Sequence, residues 1–294
     1  MSRPSVVAAF LALYWIWGST YLGIKVAVET LPPVLLAGVR FVVAGACILA
    51  WSRLRGTPWP RGREWYGAVG VGILMVVLNN AAVVWIEQRI ASGTVAMFAA
   101  GSPLLIALFN SRRLGAPLSR RRMAGLALGT VGLVMLGSAT LEEVPDVPRI
   151  AMLCFAMVCW AYGMTYGRDW PHAKDVLAAS GAQMLAGGLI AVAVGLALGE
   201  ARSFEFAQVS TRSWLAWAYL TVAGSMIAYT VFQWLLSHTD ATSVASYNYV
   251  NPIVALALGA WLANEPIGPQ TIAATALLIP AVVLVVRGDR RSES

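Results

Sequence analysis

Two stretches decide the predicted fold, TVAMFAAGSPLLIALFNSRRLGAPLS at 94–119 and SVASYNYVNPIVALALGAWLANEPIG at 243–268, because they follow one pattern. Aligned without gaps at an offset of 149 residues, they match Val95 with Val244, Ala96 with Ala245, Pro103 with Pro252 and Pro117 with Pro266. The segments before them align at an offset of 143, which pairs Trp17 with Trp160 and Arg40 with Gln183. The chain is therefore predicted to contain an internal repeat.

The composition places this repeat in a membrane. The chain of 294 residues is 59% hydrophobic and 12% charged, whereas about a quarter of a soluble domain is charged. Apolar runs of about 20 residues, enough to cross a bilayer, occur at 6–28, 34–52, 65–86, 92–111, 122–139, 150–167, 175–198, 212–237, 242–262 and 269–286. Because a backbone in lipid must satisfy its own hydrogen bonds, we predict an all-α membrane protein of ten transmembrane helices.

The repeat has a period of five spans, and an odd period means that its two copies enter the membrane from opposite sides. We therefore expect two inverted five-helix repeats, 1–141 and 142–294, within one integral membrane unit. Secondary transporters with this architecture bind their substrate near the midplane, between the repeats.

The basic residues predict the orientation of the chain. Of the 21 Lys and Arg residues, most fall on the side that holds both termini, and only Arg89, Arg149, Arg202 and Arg212 fall on the other. The positive-inside rule then places both termini in the cytoplasm. The net charge of +7 marks this membrane face. Because the charge is spread over short loops, it does not indicate a nucleic-acid partner.

Several short motifs resemble a known family. They are WGSTYLGIK at 17–25, Pro32-Pro33 followed by Arg40-Phe41, Asn251-Pro252, and Asn264-Glu265-Pro266. Together they resemble the EamA-type repeat of the drug/metabolite transporter superfamily, and within it the bacterial exporters of aromatic amino acids. The resemblance implies a location in the bacterial inner membrane and a basket of ten helices around a central cavity. Spans 1, 3, 4, 6, 8 and 9 would line that cavity.

Two adjacent amides, Asn79 and Asn80, lie in the middle of the third span. Each could bond to a neighbouring helix and hold the bundle together, a contact worth about 0.6 to 2 kcal/mol. Alternatively, at least one faces a wet cavity and binds substrate. Neighbouring residues of a helix point about 100° apart, so we expect one amide in the cavity and one in packing, without deciding which.

Aromatic and small polar side chains recur at helical spacing in the spans that the family uses for its cavity. The further candidates for substrate binding are Trp17, Tyr21, Phe98, Trp160, Ser225, Tyr229, Ser246, Tyr247 and Asn251. Packed core rings are the alternative reading of the aromatic members. Pro103 and Pro252 occupy equivalent positions and are candidate hinges, because a proline inside a helix frees a carbonyl and bends the chain; static kinks are the alternative.

The charges within the spans restrict the substrate. No carboxylate lies near the middle of a span, as a cavity for cationic drugs would require. Lys25 and Arg40 lie toward the outer face, where each could serve a charge or coupling role or reach the membrane surface. The remaining amides, hydroxyls and rings suit a neutral or zwitterionic, partly aromatic molecule. We therefore expect an exporter of amino acids that works as a uniporter, with a proton-coupled antiporter as the alternative.

Other classes of function fit less well. An intramembrane enzyme would need a nucleophile with a base or a metal cluster, but His172 and His238 both lie in loops. Cys47, Cys154 and Cys159 fall within spans, without metal-ligand spacing, and are expected to be buried free thiols. A receptor would have no evident use for an inverted repeat. The expected partners are a small-molecule substrate and the bilayer, with no cofactor or metal, and the chain is expected to be a monomer or a weak homodimer.

Overall fold

The computed structural model describes residues 3–87, 101–138, 147–202, 204–263 and 269–286, and within them it contains helices and no strand. The α-helices are α1 (Arg3–Ala27), α2 (Pro33–Leu54), α3 (Arg63–Gly72), α4 (Ala82–Glu87), α5 (Gly101–Leu114), α6 (Arg120–Ser138), α7 (Val147–Tyr166), α8 (Val176–Ala197), α9 (Thr211–Tyr219), α10 (Ala228–His238), α11 (Ala241–Val244), α12 (Tyr247–Ala263) and α13 (Pro269–Val286).

Six helices in the described part of the chain are long and apolar enough to cross a membrane: Pro4–Ala27, Pro33–Leu54, Arg63–Ile86, Val147–Asp169, Val176–Ala197 and Thr211–His238. They correspond to the predicted spans 1, 2, 3, 6, 7 and 8. Helices α5, α6, α12 and α13 lie within or beside the other four predicted spans. The chain is thus an all-helical protein with several membrane-spanning helices.

Two of the long helices contain a π-helical segment in the middle. The first segment, Ile73–Ala81, joins α3 to α4, and the second, Leu220–Ile227, joins α9 to α10. They interrupt the third and the eighth predicted spans. A π-helical turn widens the helix and is frequent at functional sites, and here both segments border the same cavity, described below.

The helices pack in five principal pairs: α2 along α8, α6 along α13, α1 along α12, α3 along α8, and α5 along α7. Glycines permit the closest of these contacts. A Cβ atom added at Gly45 would lie 2.4 Å from the backbone nitrogen of Leu185, and one added at Gly188 would lie 2.6 Å from that of Val42. Helices in membranes use small residues for such close approach, so α2 and α8 cross backbone against backbone.

Large apolar side chains cover the outside of the bundle, among them Leu11, Trp15 and Phe155, each more than half exposed. An apolar exterior suits contact with lipid tails. Cys47 and Cys154 also lie on this exterior, and only Cys159 is buried, so the expectation of three buried thiols is wrong for two of them. A cysteine in an apolar span can face lipid as readily as protein, and the sequence does not distinguish the two.

Candidate functional site

A layer of aromatic rings crosses the centre of the bundle. Trp17 of α1 lies 4.8 Å from Tyr247, 5.0 Å from Phe232 and 5.8 Å from Trp160, measured between ring centroids. Tyr229 extends the layer at 6.0 Å from Phe232. These distances are those of favourable aromatic pairs. The rings come from α1, α7, α10 and α12, and they separate two cavities, one on each side of the layer.

The first cavity has a volume of about 140 Å³. In such a cavity a water molecule needs about 10–15 Å³, so there is room for on the order of ten waters or a small solute. Its polar and aromatic lining consists of Trp17, Thr20, Arg40, Phe41, Asn79, Asn80, Ser102, Trp160, Tyr229, Tyr247, Asn248 and Asn251. Apolar walls with a few convergent polar groups are typical of a ligand site.

The two adjacent amides of the first π segment both line this cavity, but their bonds differ. Asn79 is buried, and its Nδ2 donates to the backbone oxygen of Ala156 in α7 at 3.0 Å. The Oδ1 atom of Asn80 accepts a hydrogen bond from Nη2 of Arg40 at 2.8 Å. Asn79 therefore joins two helices, whereas Asn80 holds a charged side chain of the cavity wall.

Arg40 is a buried residue of this wall, with only 3% of its surface exposed. Its guanidinium carbon lies 4.6 Å from the centroid of the Phe41 ring, within the range of a cation–π contact. Of the two alternatives for Arg40, the one in which it reaches the membrane surface does not fit the structure, because its side chain turns inward to Asn80. Lys25 is exposed and does not line the cavity.

Four polar atoms around the first cavity are buried and have no hydrogen-bond partner within the described residues. They are Nε of Arg40, Nε1 of Trp160, Oγ of Ser102 and Oδ1 of Asn251. Buried polar groups in proteins nearly always find a partner in protein, water or ligand. Their concentration at one cavity indicates a place where solvent or a solute supplies the missing bonds.

The second cavity has a volume of about 260 Å³, and its lining residues Val71 and Leu236 pack in one cluster with Phe10 of α1. It therefore lies toward the end of the bundle where α1 begins, which we call the N-terminal face. Gly67, in the second turn of α3, packs closely against the backbone of Pro171. The basic side chains in the lining are Arg113, Arg168, His172 and Lys174.

Near this cavity, Nε and Nη2 of Arg113 donate to the carboxylate of Asp169, and this pairing raises the pKa of Arg113. Deeper in the same cavity, the amide oxygen of Gln183 accepts bonds from Tyr229 Oη at 3.1 Å and from Gln233 Nε2 at 2.5 Å. A polar network thus borders the aromatic layer on this side as well.

The structure brings together many, but not all, of the predicted site residues. Trp17, Asn79, Asn80, Trp160, Tyr229, Tyr247 and Asn251 line the first cavity. Ser225 and Ser246 are buried away from its lining. Ser246 Oγ donates to the backbone oxygen of Ser243 at 2.6 Å and bonds to Tyr14 Oη at 2.5 Å, so its hydroxyl is already in use. Phe98 and the side chain of Tyr21 lie outside the described residues.

The candidate hinges also differ from one another. Pro252 lies inside α12, with helix on both sides. Pro103 is buried in the first turn of the described part of α5. A role for either proline in movement stays a prediction.

Sequence reasoning missed several cavity residues, notably Thr20, Phe41, Ser102 and Asn248. One signal was available for Ser102. It aligns with Asn251 at the offset of 149 residues, so it is the repeat counterpart of a residue that was predicted to bind substrate. Thr20 and Asn248 carried no signal, because the sequence alone does not say which face of a span turns inward.

This arrangement defines a helical membrane protein with two polar cavities inside its bundle and an aromatic layer between them. The family model for the EamA-like transporter family matches residues 4–138 and again residues 148–287. The chain therefore belongs to the EamA-like transporter family.

The relatives agree with this assignment. The chain is 35% identical to the "Uncharacterized inner membrane transporter YedA" of Escherichia coli strain K12, over 95% of this chain and 90% of that protein. It is 25% identical to "Protein PecM" of Dickeya dadantii, over 92% and 88% of the two chains. A solved crystal structure superposes over the whole of both chains with a TM-score of 0.81 at 20% identity, which supports the fold alone. The protein is thus an inner-membrane transporter of this family.

Proposed function

We propose that the protein exports small neutral or zwitterionic metabolites, most notably amino acids with aromatic side chains, by alternating access. The observation that carries this proposal is the pair of polar cavities on opposite sides of the aromatic layer around Trp17 and Trp160. A solute in the first cavity would meet rings and amides there. Opening and closing of the layer would then transfer it between the two faces.

The proposed architecture is the ten-helix basket of two inverted repeats, 1–141 and 142–294, and the contacts of α2 with α8 support it. At the offset of 143 residues, Gly45 corresponds to Gly188 and Val42 to Leu185. The close contact of Gly45 with Leu185 thus corresponds to that of Gly188 with Val42. A two-fold axis generates paired contacts of this kind, because any contact between two residues is repeated between their counterparts in the other half.

The cavities support the same two-fold relation. Trp17 and Trp160 are partners at the offset of 143, and they contact each other in the aromatic layer. Arg40 lines the first cavity, and its partner Gln183 lines the second. Two cavities at equivalent places in the two repeats are what alternating access about a central site requires. In this scheme Pro103 and Pro252 are the proposed pivots.

The proposed orientation has both termini in the cytoplasm. The basic lining of the second cavity, with Arg113, Arg168 and Lys174, belongs to the N-terminal face, and the positive-inside rule assigns such a face to the cytoplasm. A solute would then enter the second cavity from the cytoplasm and leave through the first.

The proposed energetic mode is uniport. Proton coupling through a membrane needs a titratable group in the path, usually Asp, Glu or His. Over the described residues, no Asp or Glu lines either cavity, and His172 lies at the mouth of the second. The substrate would therefore move down its own concentration gradient, with outward flow whenever the cytoplasm holds more of it.

The test is uptake of labelled phenylalanine into liposomes that contain the purified protein. We expect uptake that saturates, stops at equal concentrations on the two sides, and proceeds at the same initial rate under pH gradients of either sign. Accumulation above the external concentration that depends on the pH gradient and is abolished by an ionophore would establish the antiporter instead. Absence of transport for every amino acid in a panel would refute the proposed substrate class.

A further inference from the structure

Among the described residues that line the first cavity, one is a cation, and it is buried. Arg40 lies in the second turn of α2, is 97% buried, and lines the cavity wall. Removing a guanidinium from water is costly unless another charge and further hydrogen bonds replace the lost solvation. The contacts of Arg40 therefore show which compensating charge and hydrogen bonds a bound solute would have to supply.

The structure gives Arg40 only part of that compensation. Its Nη2 atom donates to Asn80 Oδ1 at 2.8 Å, and its guanidinium lies over the Phe41 ring. Its Nε atom is buried and has no hydrogen-bond partner among the residues that the structure describes. The ion pairs found among the described residues join Arg113 with Asp169 and Arg122 with Asp240, so no carboxylate in that part of the chain neutralises Arg40.

The other unpartnered atoms around the cavity match the needs of a carboxylate. Trp160 Nε1 and Ser102 Oγ carry N–H and O–H groups that find no acceptor in the described part of the chain. A carboxylate oxygen accepts such bonds, and its bonds to a guanidinium are both shorter and stronger than neutral ones. Asn251 Oδ1, the fourth unpartnered atom, is an acceptor and suits an ammonium or hydroxyl group of the same molecule.

The approach to the aromatic layer from the other side also favours anions. The second cavity is lined by Arg113, Arg168 and Lys174, and among these Arg113 is paired with the carboxylate of Asp169. A cleft lined by charges of one sign raises the local concentration of solutes of the opposite sign. Both cavities thus disfavour a solute whose only charge is positive.

We propose that Arg40 binds the carboxylate of the substrate through its Nε–H group, which no described residue pairs, while Asn80 holds the guanidinium in place. A free carboxylate then becomes a requirement for transport, which excludes amines and amides of otherwise identical shape. This inference rests on the proposed function, and it narrows the substrate class from neutral or zwitterionic molecules to those that carry a carboxylate.

The experiment compares three compounds that share one ring and chain length: phenylalanine, phenylalanine amide and phenethylamine. Each is offered as a competitor of labelled phenylalanine uptake in liposomes. For the wild-type protein we expect the amide and the amine to compete at least about 30-fold more weakly than phenylalanine, because loss of one partner of a buried charge pair costs at least that much in affinity.

Variants of Arg40 connect this selectivity to one side chain. The Arg40→Gln protein should bind phenylalanine at least about 30-fold more weakly than the wild-type protein. In this variant the three compounds should compete with labelled phenylalanine almost equally. Arg40→Lys keeps the positive charge and should retain part of the selectivity. This variant still tests the proposal if Arg40→Gln fails to fold. Arg53→Gln is the matched control, because Arg53 is an exposed arginine near the end of the same helix.

The outcomes separate the two proposals. Equal competition by phenylalanine and phenethylamine in a wild-type protein that transports phenylalanine would overturn the role of Arg40 and leave the transporter intact. Unchanged selectivity in a folded Arg40→Gln protein would overturn it as well. If the wild-type protein moves none of the three compounds, the proposed function fails, and the inference fails with it.

Discussion

The adjacent amides of the first π segment permit a prediction with an internal control. Replacement of Asn79 by Ala removes its 3.0 Å bond to the backbone oxygen of Ala156. Bonds between helices in membranes are worth about 0.6 to 2 kcal/mol. We therefore expect Asn79→Ala to lower the free energy of unfolding by about 1 kcal/mol while the affinity for substrate changes little.

Asn80→Ala removes the acceptor of Arg40 Nη2 instead, at 2.8 Å. A hydrogen bond to a charged group is worth about 1.5 to 3 kcal/mol. The released guanidinium lies at the cavity wall, where it can turn toward water or substrate. Loss of the bond should therefore impair the positioning of Arg40 for substrate more than it destabilises the fold. If this energy is lost from substrate binding, transport affinity should fall by about tenfold to 150-fold, with a smaller effect on thermal stability.

The assay measures both quantities on the same preparations, as thermal unfolding in detergent and as phenylalanine uptake in liposomes across a range of concentrations. Asn79→Ala should move the unfolding temperature, and Asn80→Ala should move the half-saturation concentration. The reverse pattern, with lost affinity in Asn79→Ala and lost stability alone in Asn80→Ala, would refute the assigned roles of the two amides.

Side-chain contacts support two further predictions, and the distribution of basic residues supports a third. Ser102→Ala should weaken transport affinity about threefold, because its hydroxyl lines the cavity and has no partner among the described residues. Ser246→Ala should instead lower the free energy of unfolding by about 1 kcal/mol and leave affinity unchanged. Uptake and unfolding assays separate the two effects. Arg122→Ala should destabilise the protein by about 1 to 3 kcal/mol in thermal unfolding, since it breaks a 2.8 Å pair with the partly buried Asp240. A reporter enzyme active only in the periplasm should be inactive when fused at Ser294, and activity there would overturn the proposed orientation.

The sequence predicted the helices well because their signal is local. Apolar runs of sufficient length identify spanning helices, and the predicted 212–237 and 65–86 correspond to Thr211–His238 and Arg63–Ile86. The π-helical segments within these two spans were not predicted, because an unchanged apolar pattern fits both helix types. Their placement depends on the neighbours that the widened turn accommodates.

The candidate site was harder to predict because it depends on which faces of different helices meet. Trp17 and Trp160 could be selected as repeat partners, and they contact each other in the structure. Ser246 had the same kind of sequence signal, yet its hydroxyl is used by Tyr14 and Ser243. The sequence shows how deep Arg40 lies in its span, but not where its side chain points. That direction is set by its bond to an amide on another helix, which no local pattern reveals.

The central claim is that a solute crosses the membrane through the first cavity, and counterflow tests it most directly. Liposomes loaded with unlabelled phenylalanine take up labelled phenylalanine from outside if one carrier moves both. Gly224 lines the cavity in the second π segment, whereas Val222, two residues earlier, is half exposed on the outside of the bundle. We predict counterflow in the wild-type protein and in the control Val222→Leu, and its loss in Gly224→Leu, whose side chain would occupy the cavity. Counterflow that persists undiminished in a folded Gly224→Leu protein would contradict a path through this cavity.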